Sequence, residues 1–225
     1  MLNDLAKLLH NHFATNQNYH AEQQADGRYK KKSGMITPQF LKKTLEQCGS
    51  IAVYQKNADQ TIKWICFDFD ILKVNLQEGK IEKARVELNR TVSSFCQSLN
   101  EINIPYLLEY SGNRGFHIWI TFAEKTSYRI GFDIQQALLE KIDINYNKEL
   151  IAIDLFPKTG TPTNGVGICV KIPLSKHKKS DNYALILNSI NEIDLLKIEN
   201  NINDEIIKKH IEILNAHKSI SKSEI

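Results

Sequence analysis

The 225-residue chain is poor in cysteine, methionine, tryptophan and proline, with four, two, two and five residues respectively. Its cysteines, Cys48, Cys66, Cys96 and Cys169, are scattered and form no C-x-x-C pair. That argues against a disulfide framework and a structural zinc site, and it fits a reducing cytoplasm. No apolar run reaches the roughly 20 residues of a membrane-spanning helix. The opening MLNDLAKLLHNHF has neither a signal-peptide charge pattern nor a cleavage site. A cytoplasmic protein with no membrane partner is expected. Charge of one sign is also scarce: 29 Lys and Arg oppose 26 Asp and Glu, a net +3. Apolar residues make up 42% of the chain, enough for a real core. The length suits one large domain, or a domain with an appendage.

The positive charge is locally clustered. RYKKK contains Lys30, Lys31 and Lys32, and KIPLSKHKK contains Lys176 and His177. Such clusters suit a polyanion, although each alone reads equally well as ordinary solvated lysines.

Residues 4–13 have the pattern of an amphipathic helix. Residues 14–36 are polar, with a turn at Gly27 and a break at Gly34. Thr37 caps a helix with Pro38 at its first position, and Gly49 ends it. Strands are expected at 50–55, 61–70, 106–110, 116–122, 149–156, 167–174 and 183–187, with helices at 80–102, 127–142 and 191–217. The order from 61 to 156 spells βαββαβ, a ferredoxin-like or RRM-like unit. The expected fold is therefore α+β. An RRM-like catalytic module (61–187) packs with a smaller N-terminal α/β module (1–60), and a helical extension or linker follows (188–225). In the usual strand order of this unit the first strand lies between the last and the third. The first and third strands are expected to run parallel, so some stagger or strong twist is needed to bring Asp70 near His117.

WICFDFDI places Asp68 and Asp70 on one face of a half-buried strand, where their charges repel. A divalent cation is the commonest offset. Alone, D-x-D is a weak motif and also fits a solvated or salt-bridged acidic pair. A third acid, Asp154, falls on the last strand of the unit. Three carboxylates on neighbouring strands are hard oxygen ligands suited to Mg²⁺ or Mn²⁺, in the arrangement a two-ion phosphoryl-transfer site needs. EYSGNRGFHIWI supplies two glycines for close backbone approach, and Ser111, Arg114 and His117 as donors to triphosphate oxygens. A plain hairpin with a structural histidine is the alternative. Lys171 sits among apolar neighbours and should want an anion, unless it is a half-exposed strand lysine.

Taken together, D-h-D, SGNRGFHIWI and IDLFPK followed by GVGICVKIPLSKH resemble the three motifs of the archaeo-eukaryotic primase superfamily. The likeness is strongest to primase-polymerases of prokaryotic conflict systems and CRISPR-associated proteins. NYHAEQQADGRYKKKSGMITPQFL and IAVYQ resemble that branch's N-terminal module, so roughly residues 10–180 are covered. The resemblance implies that Asp68, Asp70 and Asp154 are catalytic and bind two Mg²⁺ or Mn²⁺ ions. It implies that Ser111, His117, Lys171 and, less directly, Arg114 hold the nucleotide. Lys30, Lys31, Lys32, Lys176 and His177 are expected to meet nucleic acid. The implied partners are single-stranded or primed DNA template, NTP or dNTP, and CRISPR adaptation or other defence and replication proteins. Neither a zinc-binding cysteine cluster nor a developed C-terminal priming domain is visible, so autonomous primer initiation does not follow. Template-directed nucleotidyl transfer is the expected function. A metal-dependent nuclease and a non-catalytic single-strand-binding RRM-like module are the alternatives.

Overall fold

The computed structural model describes residues 1–16, 18–77, 79–162, 164–193 and 202–221. The elements are α1 (Leu2–Phe13), β1 (Tyr19–Gln23), β2 (Tyr29–Ser33), α2 (Pro38–Glu46), β3 (Ile51–Tyr54), β4 (Thr61–Ile71), α3 (Ile81–Glu101), β5 (Leu107–Tyr110), β6 (Gly115–Ser127), α4 (Tyr128–Ile142), β7 (Ile151–Phe156), β8 (Cys169–Lys171), β9 (Leu185–Leu187) and α5 (Asp204–Ala216). The strands form two antiparallel sheets, ordered β2-β1-β3-β8 and β7-β4-β6-β5-β9. The class is α+β. Among the described residues no helix is long and apolar enough to cross a membrane.

The five-stranded sheet carries the βαββαβ unit, with β4 between β7 and β6 as expected. One expectation is corrected. β4 and β6 run antiparallel, with Asp68 opposite His117 and Asp70 opposite Gly115. The hairpin reverses β6 relative to β5, so β6 also opposes β4, and no stagger is needed.

Period-two alternation gives each face of this sheet its own core. Ile65, Phe67, Phe69 and Ile71 of β4 point to one side with Phe116, Ile118 and Ile120 of β6. There they meet Ala84, Leu88, Val92, Phe95 and Leu99, the buried stripe of α3. Phe95 packs its ring 4.8 Å from Phe67 and 5.3 Å from Phe69. Burying each such side chain contributes about 1.5–3 kcal/mol. On the opposite face Trp64, Cys66, Leu107, Trp119 and Phe156 pack against α1, α2, α5 and the inner side of the four-stranded sheet. The Trp119 ring lies 4.8 Å from Trp64 and 4.9 Å from Phe13.

Residues 14–36 contain more than a polar turn. They form the β1–β2 hairpin, in which β2 is an exposed edge strand. YKKKS lacks apolar alternation, and edge lysines of this kind discourage sheet-to-sheet association. β8, from the C-terminal half of the chain, pairs with β3 and closes the N-terminal sheet. The segment from 191 to 217 begins in a short 3-10 turn at Ile190–Glu192 and resumes as α5, capped by Asn203. Residues 194–201 lie outside the described residues. α5 is docked rather than free-standing: Leu214 is buried in the core with α1, and Ile220 bridges to Phe122 at the side of β6.

Candidate active site

The register of the five-stranded sheet brings titratable side chains into one line. Across β5, β6, β4 and β7, Leu107 pairs with Trp119, Trp119 with Cys66, and Cys66 with Phe156. That line is wholly apolar and is covered by the N-terminal half of the protein. Two residues further along each strand, on the same face, Glu109 pairs with His117, His117 with Asp68, and Asp68 with Asp154. The next line holds Gly115, Asp70 and Ala152. One sheet face therefore changes from tryptophan and phenylalanine to acid and imidazole where the covering layer ends.

A cleft of about 240 Å³ opens over His117, Asp68 and Asp70; Asp154, exposed on β7, does not line it. Asp68, Asp70, Ser111, Arg114 and His117 line its floor, while Gln23, Tyr29, Cys169 and Lys171 close it from the four-stranded sheet. His177 and Lys179 complete the wall.

Burial pushes the Asp68 carboxyl above its ordinary pKa; Asp70 and Asp154 add to the rise, and His117 and Arg114 oppose it. Asp68 Oδ1 is buried and has no hydrogen-bond partner. Asp70 is also raised by burial, against the pull of Arg114. The Arg114 guanidinium donates to Asp70 Oδ2 and, at 2.8 Å, to the Ile71 carbonyl. Asp154 is exposed and receives Lys158 Nζ at 3.1 Å. Among the described residues no three Asp, Glu, His or Cys side chains converge into a ready-made metal shell. Two of the carboxylates instead hold Arg114 and Lys158. The donor chemistry still fits a hard divalent cation: all three acids face one way, and a buried carboxylate oxygen is left without a partner.

His117 is buried, and Glu109 Oε2 lies 2.9 Å from its Nδ1. Its Nε2 faces Asp68 Oδ1 at 3.7 Å. Burial disfavours the imidazolium, but Glu109 and Asp68 outweigh that and raise the His117 pKa. Lys171 is only 4% exposed, which excludes the half-exposed strand lysine. Burial lowers its pKa to about 8, against the pull of Glu109 and Asp68. Its Nζ donates weakly to the Ser175 carbonyl at 3.4 Å. The ammonium tucks under the hairpin at Gly112 (φ +84°), where a Cβ would come within 3.0 Å of it. Glycine is needed there both for the left-handed backbone and for the space.

The remaining expected residues are less central. Ser111 is buried at the cleft, its N–H donating to the Gly115 carbonyl at 2.9 Å. Lys30, Lys31 and Lys32 lie on the edge strand β2, away from the acids; Lys32 pairs with Glu22 at 3.3 Å and Lys31 lies over the Tyr19 ring. Lys176 pairs with Asp181 at 2.8 Å. His177 lines the cleft as a neutral ring: burial, with Lys171, Lys179 and Arg114 nearby, lowers its pKa to about 4. Its Nδ1 accepts from the backbone N–H groups of Lys179 and Ser180.

Sequence reading missed Glu109, which is fully buried in this line. Its signal was a lone acid in the apolar strand YLLEY, placed opposite His117 by the length of the hairpin. Tyr29, Gln23 and Lys179 carry no comparable mark, since only the packing of two sheets brings them to the cleft.

Residues 7–217 match the archaeo-eukaryotic primase domain of TOTE conflict systems. The chain belongs to that family. The primase fold is also seen in the polymerase domain of Mycobacterium tuberculosis ligase D in complex with DNA, with a TM-score of 0.58 and 13% identity over 92% of this chain and 85% of that one. The archaeo-eukaryotic primase domain of the cyanophage S-2L primase-polymerase aligns with a TM-score of 0.37 and 12% identity, over 88% of each chain. The primase RepB' aligns with a TM-score of 0.39 and 9% identity, over 96% of this primase domain and 64% of that chain. No curated protein sequence matches the chain.

Proposed function

We propose that this archaeo-eukaryotic primase domain is a template-directed nucleotidyltransferase, a DNA primase-polymerase that joins an incoming NTP or dNTP to a primer 3′-hydroxyl. The observation that carries the reading is the line Glu109–His117–Asp68–Asp154 with Asp70 beside it, of which His117, Asp68 and Asp70 face Lys171 across a cleft. Acids on one wall and the buried Lys171 on the other suit a triphosphate that must be held and divided.

Asp68, Asp70 and Asp154 would hold two Mg²⁺ or Mn²⁺ ions, which supply charge neutralisation at the α-phosphate and at the attacking and leaving oxygens. The chain's own residues do the positioning. Lys171 and His117 donate to oxygens of the β- and γ-phosphates, and Ser111 lines the same pocket. Arg114 keeps Asp70 oriented and gives a second cation at the floor. As the pyrophosphate leaves, Lys171 and His117 stay paired with its growing charge, which lowers the barrier because they are already in place. Template DNA meets the protein mainly through phosphates, at Lys30, Lys31, Lys32 and Lys176, so binding is salt-dependent. The conflict-system character of the family supports a defence setting for this activity.

The binding-module alternative expects exposed aromatics on the central strands of an RRM-like sheet. Acids and a histidine occupy that place, while Trp64 and Trp119 are buried beneath the covering helices. The test is an extension assay on primed and unprimed templates, with dNTP or NTP, with Mg²⁺, Mn²⁺ or a chelator. Lengthening of the primer that needs both nucleotide and metal supports the reading. Shortening of the DNA without nucleotides would identify a nuclease instead.

A further inference from the structure

Glu109 is a carboxylate with no exposure to solvent, and burying such a group is costly unless it is paired. It is anchored from below: Trp119 Nε1 donates to Oε2 at 2.5 Å, and Trp119 is itself held between the rings of Trp64 and Phe13. The same oxygen takes His117 Nδ1 at 2.9 Å, while Oε1 has no partner. A histidine whose Nδ1 is committed in this way has only Nε2 to offer the cleft, and Nε2 points to the Asp68 side. A core tryptophan thus holds a glutamate, and the glutamate holds the histidine ring.

We propose that Glu109 is the positioning residue of the triphosphate pocket: it fixes the His117 ring with Nδ1–H toward itself and Nε2 toward the phosphates. This assignment rests on the nucleotidyl-transfer reading. Glu109 touches neither substrate nor metal; it acts through the bond to His117 Nδ1, and its charge also favours the Lys171 ammonium. It is placed so that the ring meets an incoming phosphate without a search over orientations, the advantage preorganisation gives a binding site.

The test uses the full chain and Glu109→Gln, which keeps the side-chain shape and removes the charge. Nucleotide KM should rise about tenfold, as expected for loss of a charge-assisted bond. kcat should fall as well, because His117 also pairs with the leaving pyrophosphate, while the affinity for primed DNA alone should move by less than about threefold. The deciding arm is a double-mutant cycle. In Glu109→Gln/His117→Ala, affinity for a non-hydrolysable nucleotide should fall only slightly below that of His117→Ala alone, because Glu109 has no ring left to position and only its weaker pull on Lys171 remains. Additive losses, or a normal nucleotide affinity in Glu109→Gln, would overturn the proposal. If His117→Ala itself binds nucleotide normally, the nucleotide pocket and this proposal fail together. If His117→Ala is weakened and Glu109→Gln is not, only the role of Glu109 fails. Should Glu109→Gln not fold, ¹⁵N spectra of the histidine rings in the unaltered protein decide: a protonated Nδ1 on His117 supports the assignment, and a bare Nδ1 contradicts it.

Discussion

Gly115 lies against Asp70 across the β4–β6 ladder with no room for a methyl group between them. A Cβ built on Gly115 would stand 2.0 Å from the Phe69 carbonyl oxygen and 2.4 Å from Asp70 Oδ1. The glycine is thus required by the Phe69 carbonyl and the acid beside it.

Gly115→Ala should cost about 1–3 kcal/mol from overpacking, and it should also displace Asp70 and depress primer extension. Gly165→Ala is the contrasting control. That residue has a left-handed backbone (φ +81°), which Gly115 does not, and nothing within 4 Å. Its cost should be confined to backbone strain of about 1 kcal/mol, with activity retained. Urea unfolding and extension rates of the two variants check this, and equal behaviour of the pair would contradict the close approach.

Acid should loosen the docking of α5. His210 is 2% exposed, with Nδ1 beside the Ile206 carbonyl and Nε2 accepting the Ile186 N–H at 2.8 Å. Burial lowers its pKa from 6.5 to about 4. The unfolded chain therefore takes up a proton at higher pH than the folded one. This residue's contribution is fully present above about pH 6.5 and is lost as pH falls toward 4, by at most about 3 kcal/mol. His210→Gln keeps an acceptor and removes the titration. Unfolding free energy measured against pH should then fall less steeply, by about one proton's worth. His177 and His217, also lowered to about 4 by burial, add to the slope, as do His12 and the lowered carboxyls of Glu87 and Glu192. An unchanged slope in the variant would show that His210 does not stay neutral in the fold.

Lys171→Ala should separate nucleotide from template. Removing a buried ammonium that meets a phosphate should weaken binding of a non-hydrolysable nucleotide roughly ten- to a hundredfold. Affinity for primed DNA alone should stay within about twofold, since the lysines expected to meet its phosphates lie on β2 and near Lys176. Titrations with labelled primer-template, before and after nucleotide addition, read both. Lost template affinity with normal nucleotide affinity would place Lys171 on a nucleic-acid face.

The motifs were legible because they lie on strongly patterned strands. Phe67 and Phe69 alternate with Asp68 and Asp70, and Phe116, Ile118 and Ile120 alternate with His117, so faces could be assigned from period two alone. The βαββαβ order and the central place of β4 followed from the sequence of elements. Strand direction was misjudged for β4 and β6, although the hairpin at Ser111–Gly115 already implied the reversal. The β1–β2 hairpin was hidden because Lys30, Lys31 and Lys32 give no apolar alternation, and its pairing comes from tertiary contact. Glu109 was hidden for the opposite reason: it sits among leucines, and only the register against His117 reveals its role. That Arg114 is engaged with Asp70 could not be read at all, since it depends on the geometry of a side chain 44 residues away.

The central claim is that Asp68, Asp70 and Asp154 form one catalytic centre for nucleotidyl transfer, and primer extension by Asp70→Ala tests it most directly. Asp70 is part-buried at the cleft and not in either hydrophobic core, so the variant should fold and melt within a few degrees of the parent. The measurement is single-nucleotide extension of a primed template in Mg²⁺ and in Mn²⁺, beside the parent protein and alongside a thermal melt. The account expects a folded Asp70→Ala whose extension falls by at least about two to three orders of magnitude in both metals. A well-folded Asp70→Ala that extends the primer at close to the parent rate would contradict it.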